Sequence, residues 1–284
     1  MINFLHTYHP NPIFISFGPI VIRYYGLFIV LGALAAIIVI LALAKHQKIK
    51  QELIIDLALL LLIFGIIGAR FYHVFLEPQF YIIHPLNIFK IWNGGLAIHG
   101  AIIAGLIVVY WFSKKHCLNF WQLTATIVIG LPLAQTISRW GNYFNQELFG
   151  LPTNLPWGIP IDQTNRAWQY LNYDYFHPTF LYESIGDLVI FVILLGLYFV
   201  LFANHKLQTI NCKLFVMSYA IMYSILRFFM EFIRIDTTPI IFNLRFPQFI
   251  SLLILFLIIT YLSYCFIIKN LVLKNKIIRA NIKK

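Results

Sequence analysis

The chain has 284 residues, 61% of them hydrophobic and only 11% charged, where soluble domains carry about a quarter charged residues. That balance excludes an ordinary soluble domain and places the chain in the membrane class. The formal net charge of +11 does not point to nucleic acid, because the basic residues gather at the ends of apolar spans, where they act as topology signals.

From the N-terminus, the first 19 residues hold no Lys or Arg and include Pro10, Pro12 and Pro19, so no cleaved leader is expected. Seven apolar segments follow, at 20–44, 53–76, 95–112, 120–138, 184–203, 213–233 and 248–268. Each is near the roughly 20 residues that a spanning helix needs. Backbone polar groups cannot face lipid unpaired, so helices are the economical reading. A barrel would need short alternating segments instead. The expected fold is therefore an all-α polytopic membrane protein with seven transmembrane helices.

Charge sets the expected orientation. Lys45, Lys48 and Lys50 follow the first span, Lys114 and Lys115 the third, and Lys206 and Lys213 the fifth. The tail adds Lys269, Lys274, Lys276, Arg279, Lys283 and Lys284. Seven spans put all of these on one side, which the positive-inside rule makes cytoplasmic, with the N-terminus outside and the C-terminus inside. Residues 77–93 and 140–178 then form outward-facing loops or arms of a single domain covering 1–284. The second is rich in Pro, Asn, Trp and Tyr, and its aromatic residues suit a membrane interface. Cys117, Cys212 and Cys265 lie far apart without metal-ligand spacing, so free thiols are expected.

Ionisable side chains within spans cost several kcal/mol at the bilayer centre, roughly 2.5–3.5 on insertion scales, and therefore face protein or water. Arg23, Arg70, His99, Arg139, Glu183, Arg227 and Glu231 all fall in or near the outer halves of the expected helices. Together they suggest a water-accessible pocket facing outward. Two arginines converging there suit a phosphate. Simpler roles stand beside this one. Arg23 and Arg70 can be snorkelling anchors, Arg227 and Glu231 can neutralise each other at i,i+4, and His99 can be a packing residue. In Arg139-Trp140-Gly141-Asn142-Tyr143-Phe144-Asn145-Gln146-Glu147, Gly141 permits a tight turn while Asn142, Asn145 and Glu147 supply directional hydrogen bonds. Such groups beside an Arg favour head-group binding. Thr179 is a candidate cap for the fifth helix, with Glu183 close to its positive end.

These segments, in this order, resemble the bacterial prolipoprotein diacylglyceryl transferases over nearly the whole chain, from Ile22-Arg23-Tyr24-Tyr25-Gly26 to the last span. The resemblance rests on the Arg139–Glu147 segment, Gly94-Gly95-Leu96 with His99-Gly100, His177-Pro178-Thr179 with Tyr182-Glu183, and Arg227-Phe228 with Glu231-Phe232 and Arg234. Ser138, Ala101 and Phe180 depart from the family pattern of Gly, Gly and Gln, yet none removes a charged or imidazole group.

The resemblance implies transfer of a diacylglyceryl group from phosphatidylglycerol to the signal-sequence cysteine of a prolipoprotein, in a bacterial cytoplasmic (inner) membrane. It further implies no metal, nucleotide or redox cofactor and no nucleic-acid partner. Activity as a monomer is the accompanying expectation. Arg139 and Arg227 would hold the phosphate, and His99 or Tyr25 would activate or orient the thiol. Arg70, Asn142, Asn145 and Glu147 would fix the head group and nearby loop, with Glu183 and Glu231 orienting their neighbours. A lipid or anion transporter with an outward-facing Arg-lined cavity is the alternative.

Overall fold

The computed structural model describes residues 2–18, 20–203 and 209–282; Pro19, Lys206, Lys283 and Lys284, named above, lie outside them. Among the described residues the elements run α1 (Ile2–Thr7), β1 (Ile13–Phe17), β2 (Ile20–Arg23), α2 (Tyr24–His46), α3 (Gln51–Leu76), α4 (Pro78–Ile83), α5 (Ile98–Lys115) and α6 (Phe120–Phe144). There follow β3 (Ile159–Pro160), β4 (Tyr175–Phe176), α7 (Thr179–Ala203), α8 (Thr209–Met230), β5 (Ile240–Ile241), β6 (Leu244–Arg245) and α9 (Phe246–Ile282). Among the described residues, seven helices, α2, α3 and α5–α9, are long and apolar enough to cross a membrane. Their outer surfaces expose large apolar residues such as Leu62, Ile67, Phe71, Ile107, Val192 and Phe256, as contact with hydrocarbon requires.

Several boundaries differ from the sequence expectation, and three of them have a clear local reason. Residues 20–23 pair with β1 as an antiparallel hairpin in which Arg23 lies opposite Ile13, so the first long helix starts only at Tyr24. The fourth span continues to Phe144, which puts Asn142 on the same helix as Arg139 rather than in the loop expected from residue 140. The fifth starts at Thr179, directly after Pro178, a residue suited to a helix start but not to its interior.

The chain forms two compact units. Unit 1 comprises Met1–Gly32, Pro132–Gly196 and Met217–Lys284; unit 2 comprises Ala33–Leu131 and Leu197–Val216. In unit 2, Ala44, Ile54, Leu57, Val108, Phe112 and Leu123 form a buried cluster. Association of helices in lipid depends on close packing rather than escape from water, and α3 and α5 achieve it with glycine against glycine. A side chain at Gly100 would strike the carbonyl of Gly68 and Cβ of Tyr72.

In unit 1, Leu5, Tyr143, Phe149, Ile161, Phe176 and Phe180 form a second buried cluster beneath the arm that follows α6. Gln146 stitches that arm together, with positive φ of 51°. Its amide donates to the Pro10 carbonyl (3.0 Å) and to Asp162 Oδ2 (2.6 Å), and its Oε1 accepts from the Asp162 backbone (2.6 Å).

Candidate active site

Unit 1 gathers charge at one place. Glu183, in the first turns of α7, is the hub: its Oε2 lies 2.7 Å from Arg139 Nε. Its Oε1 lies 2.8 Å from Arg234 Nη1 and 3.6 Å from Arg227 Nη1. Asp187, one turn further along α7, lies 3.8 Å from Arg139 Nε. Arg227 Nη2 in turn pairs with Glu231 Oε2 at 2.9 Å. Beyond α8, Arg234 Nε donates to Asp236 Oδ1 (2.8 Å), while Arg245 Nε reaches Glu231 Oε1 at 3.0 Å. Burial alone would raise the Asp236 carboxyl, but the hydrogen bond and charge of Arg234, with Arg245 adding, hold it below the usual carboxylate range.

The depth of these groups decides which sign the site presents. The Glu183, Asp187 and Glu231 side chains are 4%, 0% and 0% exposed, whereas those of Arg139 and Arg227 are 18% and 17% exposed. The carboxylates are the more deeply buried partners, so the arginine side chains are the groups left for an anion to meet. Such a face suits an anion with several oxygens, which a guanidinium fork binds in two places. Helix geometry fixes the set: Glu183 and Asp187 share a face at i,i+4, as do Arg227 and Glu231. The Ser184 hydroxyl ties α7 to α6 by donating to the Thr136 carbonyl (2.9 Å).

The remaining expected residues of unit 1 lie at the end of α6 and the start of α2. Asn142 and Asn145 donate to the two Glu147 oxygens, at 2.7 and 3.4 Å, and the Glu147 backbone donates to the Asn142 carbonyl (3.0 Å). This closes the turn after the helix. Gly141 allows Tyr25 to pass close by, since a Cβ there would sit 3.1 Å from Tyr25 Cα. Thr179 does more than begin α7: its hydroxyl donates to the Leu148 carbonyl. It thereby joins the helix that carries Glu183 to the turn that carries Glu147.

Arg70 and His99 belong to unit 2. The Arg70 guanidinium is buried and serves backbone carbonyls, donating to Ile88 (2.9 Å), Gly94 (2.7 Å), Gly95 (2.9 Å), Lys90 (3.5 Å) and Asn87. It is therefore neither a snorkelling anchor nor an open fork; it fixes the loop of residues 87–95. His99, near the start of α5, is exposed and has its ring 5.9 Å from that of Tyr72.

Sequence reasoning did not single out Asp187, Asp236 or Arg245 and gave Arg234 no role of its own. Asp187 carried a usable signal, an acid within an apolar helix one turn from Glu183. Arg245 carried none, since it lies outside every span and every motif quoted.

The description prolipoprotein diacylglyceryl transferase belongs to the family model that matches residues 12–264. Curated relatives carry the name phosphatidylglycerol–prolipoprotein diacylglyceryl transferase. One from Nostoc sp. is 41% identical over 249 residues, covering 88% of this chain and 87% of the relative. One from Synechococcus sp. is 41% identical over 228 residues, covering 80% and 81%. A third, from Synechocystis sp., is 40% identical over 251 residues, covering 87% of each.

Proposed function

The chain belongs to the prolipoprotein diacylglyceryl transferase family, and from that premise we propose that its guanidinium cluster holds phosphatidylglycerol while a prolipoprotein cysteine displaces the phosphate. A sulfur–carbon bond forms at the terminal glyceryl carbon, and the bond between that carbon and the phosphate ester oxygen breaks. The products are a thioether-linked diacylglyceryl cysteine and glycerol phosphate. The thiol gives up its proton, because the thiolate is the nucleophile.

One observation carries the site assignment: Arg139 and Arg227 share Glu183, and their side chains are less buried than its own. Preorganised donors of this kind stabilise charge that develops on a leaving group, and removing one typically costs about 100- to 1000-fold in rate. Glu183 and Glu231 orient the two guanidiniums. Asn142, Asn145 and Glu147 shape the turn beside them, and Arg70 acts through the loop whose carbonyls it binds. His99 and Tyr25 are the candidates for receiving or directing the thiol proton.

The setting we infer is a bacterial inner membrane, with the N-terminus and the site on the outer side and the C-terminus in the cytoplasm. Residues 77–93 and 140–178 face outward, the whole chain acts as one transferase domain, and a single copy suffices. Positive-inside charge supports the orientation.

The test is mass spectrometry of a cysteine-containing prolipoprotein peptide incubated with the purified protein in phosphatidylglycerol vesicles. The expected product carries one diacylglyceryl group on the cysteine. An unmodified peptide, with folded protein and inserted peptide both verified, overturns the reading.

A further inference from the structure

Arg245 ends β6 just after a tight turn. β5 and β6 pair Ile241 with Leu244, and the two residues between them, Phe242 and Asn243, both take positive φ, at 50° and 61°. That is the backbone a two-residue hairpin loop requires to match strand twist. The turn brings Arg245 back to the segment that follows α8, whose carbonyls lie outside the helix. Its Nη1 donates to the carbonyls of Glu231 (3.0 Å) and Arg234. Its Nη2 donates to the Asp236 carbonyl, and its Nε to Thr238 Oγ1 (3.1 Å).

The same guanidinium forms an ion pair with one oxygen of the Glu231 carboxylate, its Nε proton going to Thr238, while Arg227 forms an ion pair with the other. The distances are 3.0 Å to Arg245 Nε and 2.9 Å to Arg227 Nη2. A carboxylate bound only by Arg227, on its own helix, would be free to turn and take that guanidinium with it. The charge of Arg245 beside its other oxygen opposes that turn. Sharing its charge between two cations also leaves Arg227 less neutralised and more attractive to an anion.

We propose that Arg245 is a positioning residue for the transfer reaction, clamping Glu231 so that Arg227 stays aimed at the donor's phosphate; this rests on the reading of Arg227 given above. Its bonds to carbonyls of the segment after α8 make the clamp part of the fold. The hairpin therefore sets the geometry of a group it does not contact directly in sequence.

The experiment is a double-mutant cycle on the intact protein in phosphatidylglycerol vesicles, with Arg245→Gln, Glu231→Gln and the pair. Steady-state transfer to the cysteine peptide is measured for each, and folding is followed by thermal unfolding. Arg245→Gln is expected to lower kcat by about 10- to 100-fold, the usual cost of losing a partner that orients a functional group, with KM for the peptide unchanged. In the Glu231→Gln background the further loss should stay within about twofold, since residues acting through one contact are not additive. A kcat for Arg245→Gln near that of the wild type, or losses that multiply, overturns the proposal.

Should Arg245→Gln not fold, Arg245→Lys carries the same cycle. A reduced kcat with no further loss in Glu231→Gln supports the clamp, and a wild-type kcat or multiplying losses overturn it. Arg227→Gln, run alongside, separates the two claims: full activity there removes the underlying site reading, whereas an inactive Arg227→Gln beside an unaffected Arg245→Gln removes only the clamp.

Discussion

Removing the Glu183 carboxylate leaves Arg139, Arg227 and Arg234 facing the space that it fills. Breaking a buried ion cluster on one side is strongly destabilising, by about 3–5 kcal/mol, because the remaining charges lose their compensation. Glu183→Gln should therefore lower the unfolding temperature far more than Glu147→Gln, whose carboxylate accepts side-chain bonds only from the neutral amides of Asn142 and Asn145. Differential scanning calorimetry of the two variants compares them directly. A second residue-scale outcome concerns pH. Burial pushes the His177 imidazole below its ordinary value, so the folded state favours the neutral ring and the unfolded state binds more protons between the two values. Stability is then fully present above about pH 6.5 and is lost as pH falls through the folded value. His177→Gln should shrink the difference in unfolding temperature between about pH 7.5 and about pH 5.5; an unchanged difference would assign that dependence to other groups. The charged residues of the cluster were largely legible in the sequence, because Arg139, Glu183, Arg227 and Glu231 stand out in apolar surroundings. What could not be read was their pairing, above all that Glu183 serves three guanidiniums contributed by α6, α8 and the loop after α8.

At the scale of elements, the seven apolar segments all appear as helices, since length and hydropathy are properties of the sequence itself. Their ends were less legible. Arg23 was expected to open a helix, yet residues 20–23 find strand partners in 13–17, a pairing that no periodicity within 20–44 reveals. The α3–α5 packing gives a test at this scale. Gly100→Val would drive a branched side chain into the Gly68 carbonyl, and overpacking of this kind costs about 1–3 kcal/mol. The variant should unfold at lower temperature, and Gly105→Ala, where the added Cβ would sit 3.6 Å from the Leu61 side chain, should not. The β5–β6 turn gives another. Asn tolerates the left-handed backbone at 243 and a β-branched residue does not. Asn243→Val should thus disturb the hairpin and lower transfer as Arg245→Gln does, with Asn243→Gly retaining activity.

For the whole molecule, three lysines near helix ends sit on aromatic rings: Lys114 lies over Tyr110 (5.6 Å), Lys115 over Trp111 (4.8 Å) and Lys213 over Trp121 (5.1 Å). Such pairs suit the interface, where aromatic rings settle and long basic side chains reach water. Cys117 is exposed beside Lys114 and Lys115, which makes it a native probe of the proposed orientation. A membrane-impermeant maleimide added to intact cells should leave Cys117 unlabelled and should label it once the membrane is opened; labelling of intact cells would reverse the topology. The central claim, that Arg139 and Arg227 together hold the donor's phosphate, is tested most directly by steady-state kinetics with varied phosphatidylglycerol. Arg139→Lys and Arg227→Lys keep the charge but lose the planar fork. Each should lower kcat/KM for phosphatidylglycerol by about 100-fold or more in protein that remains folded. Values for both variants within about threefold of the wild type would contradict the account and move the phosphate elsewhere.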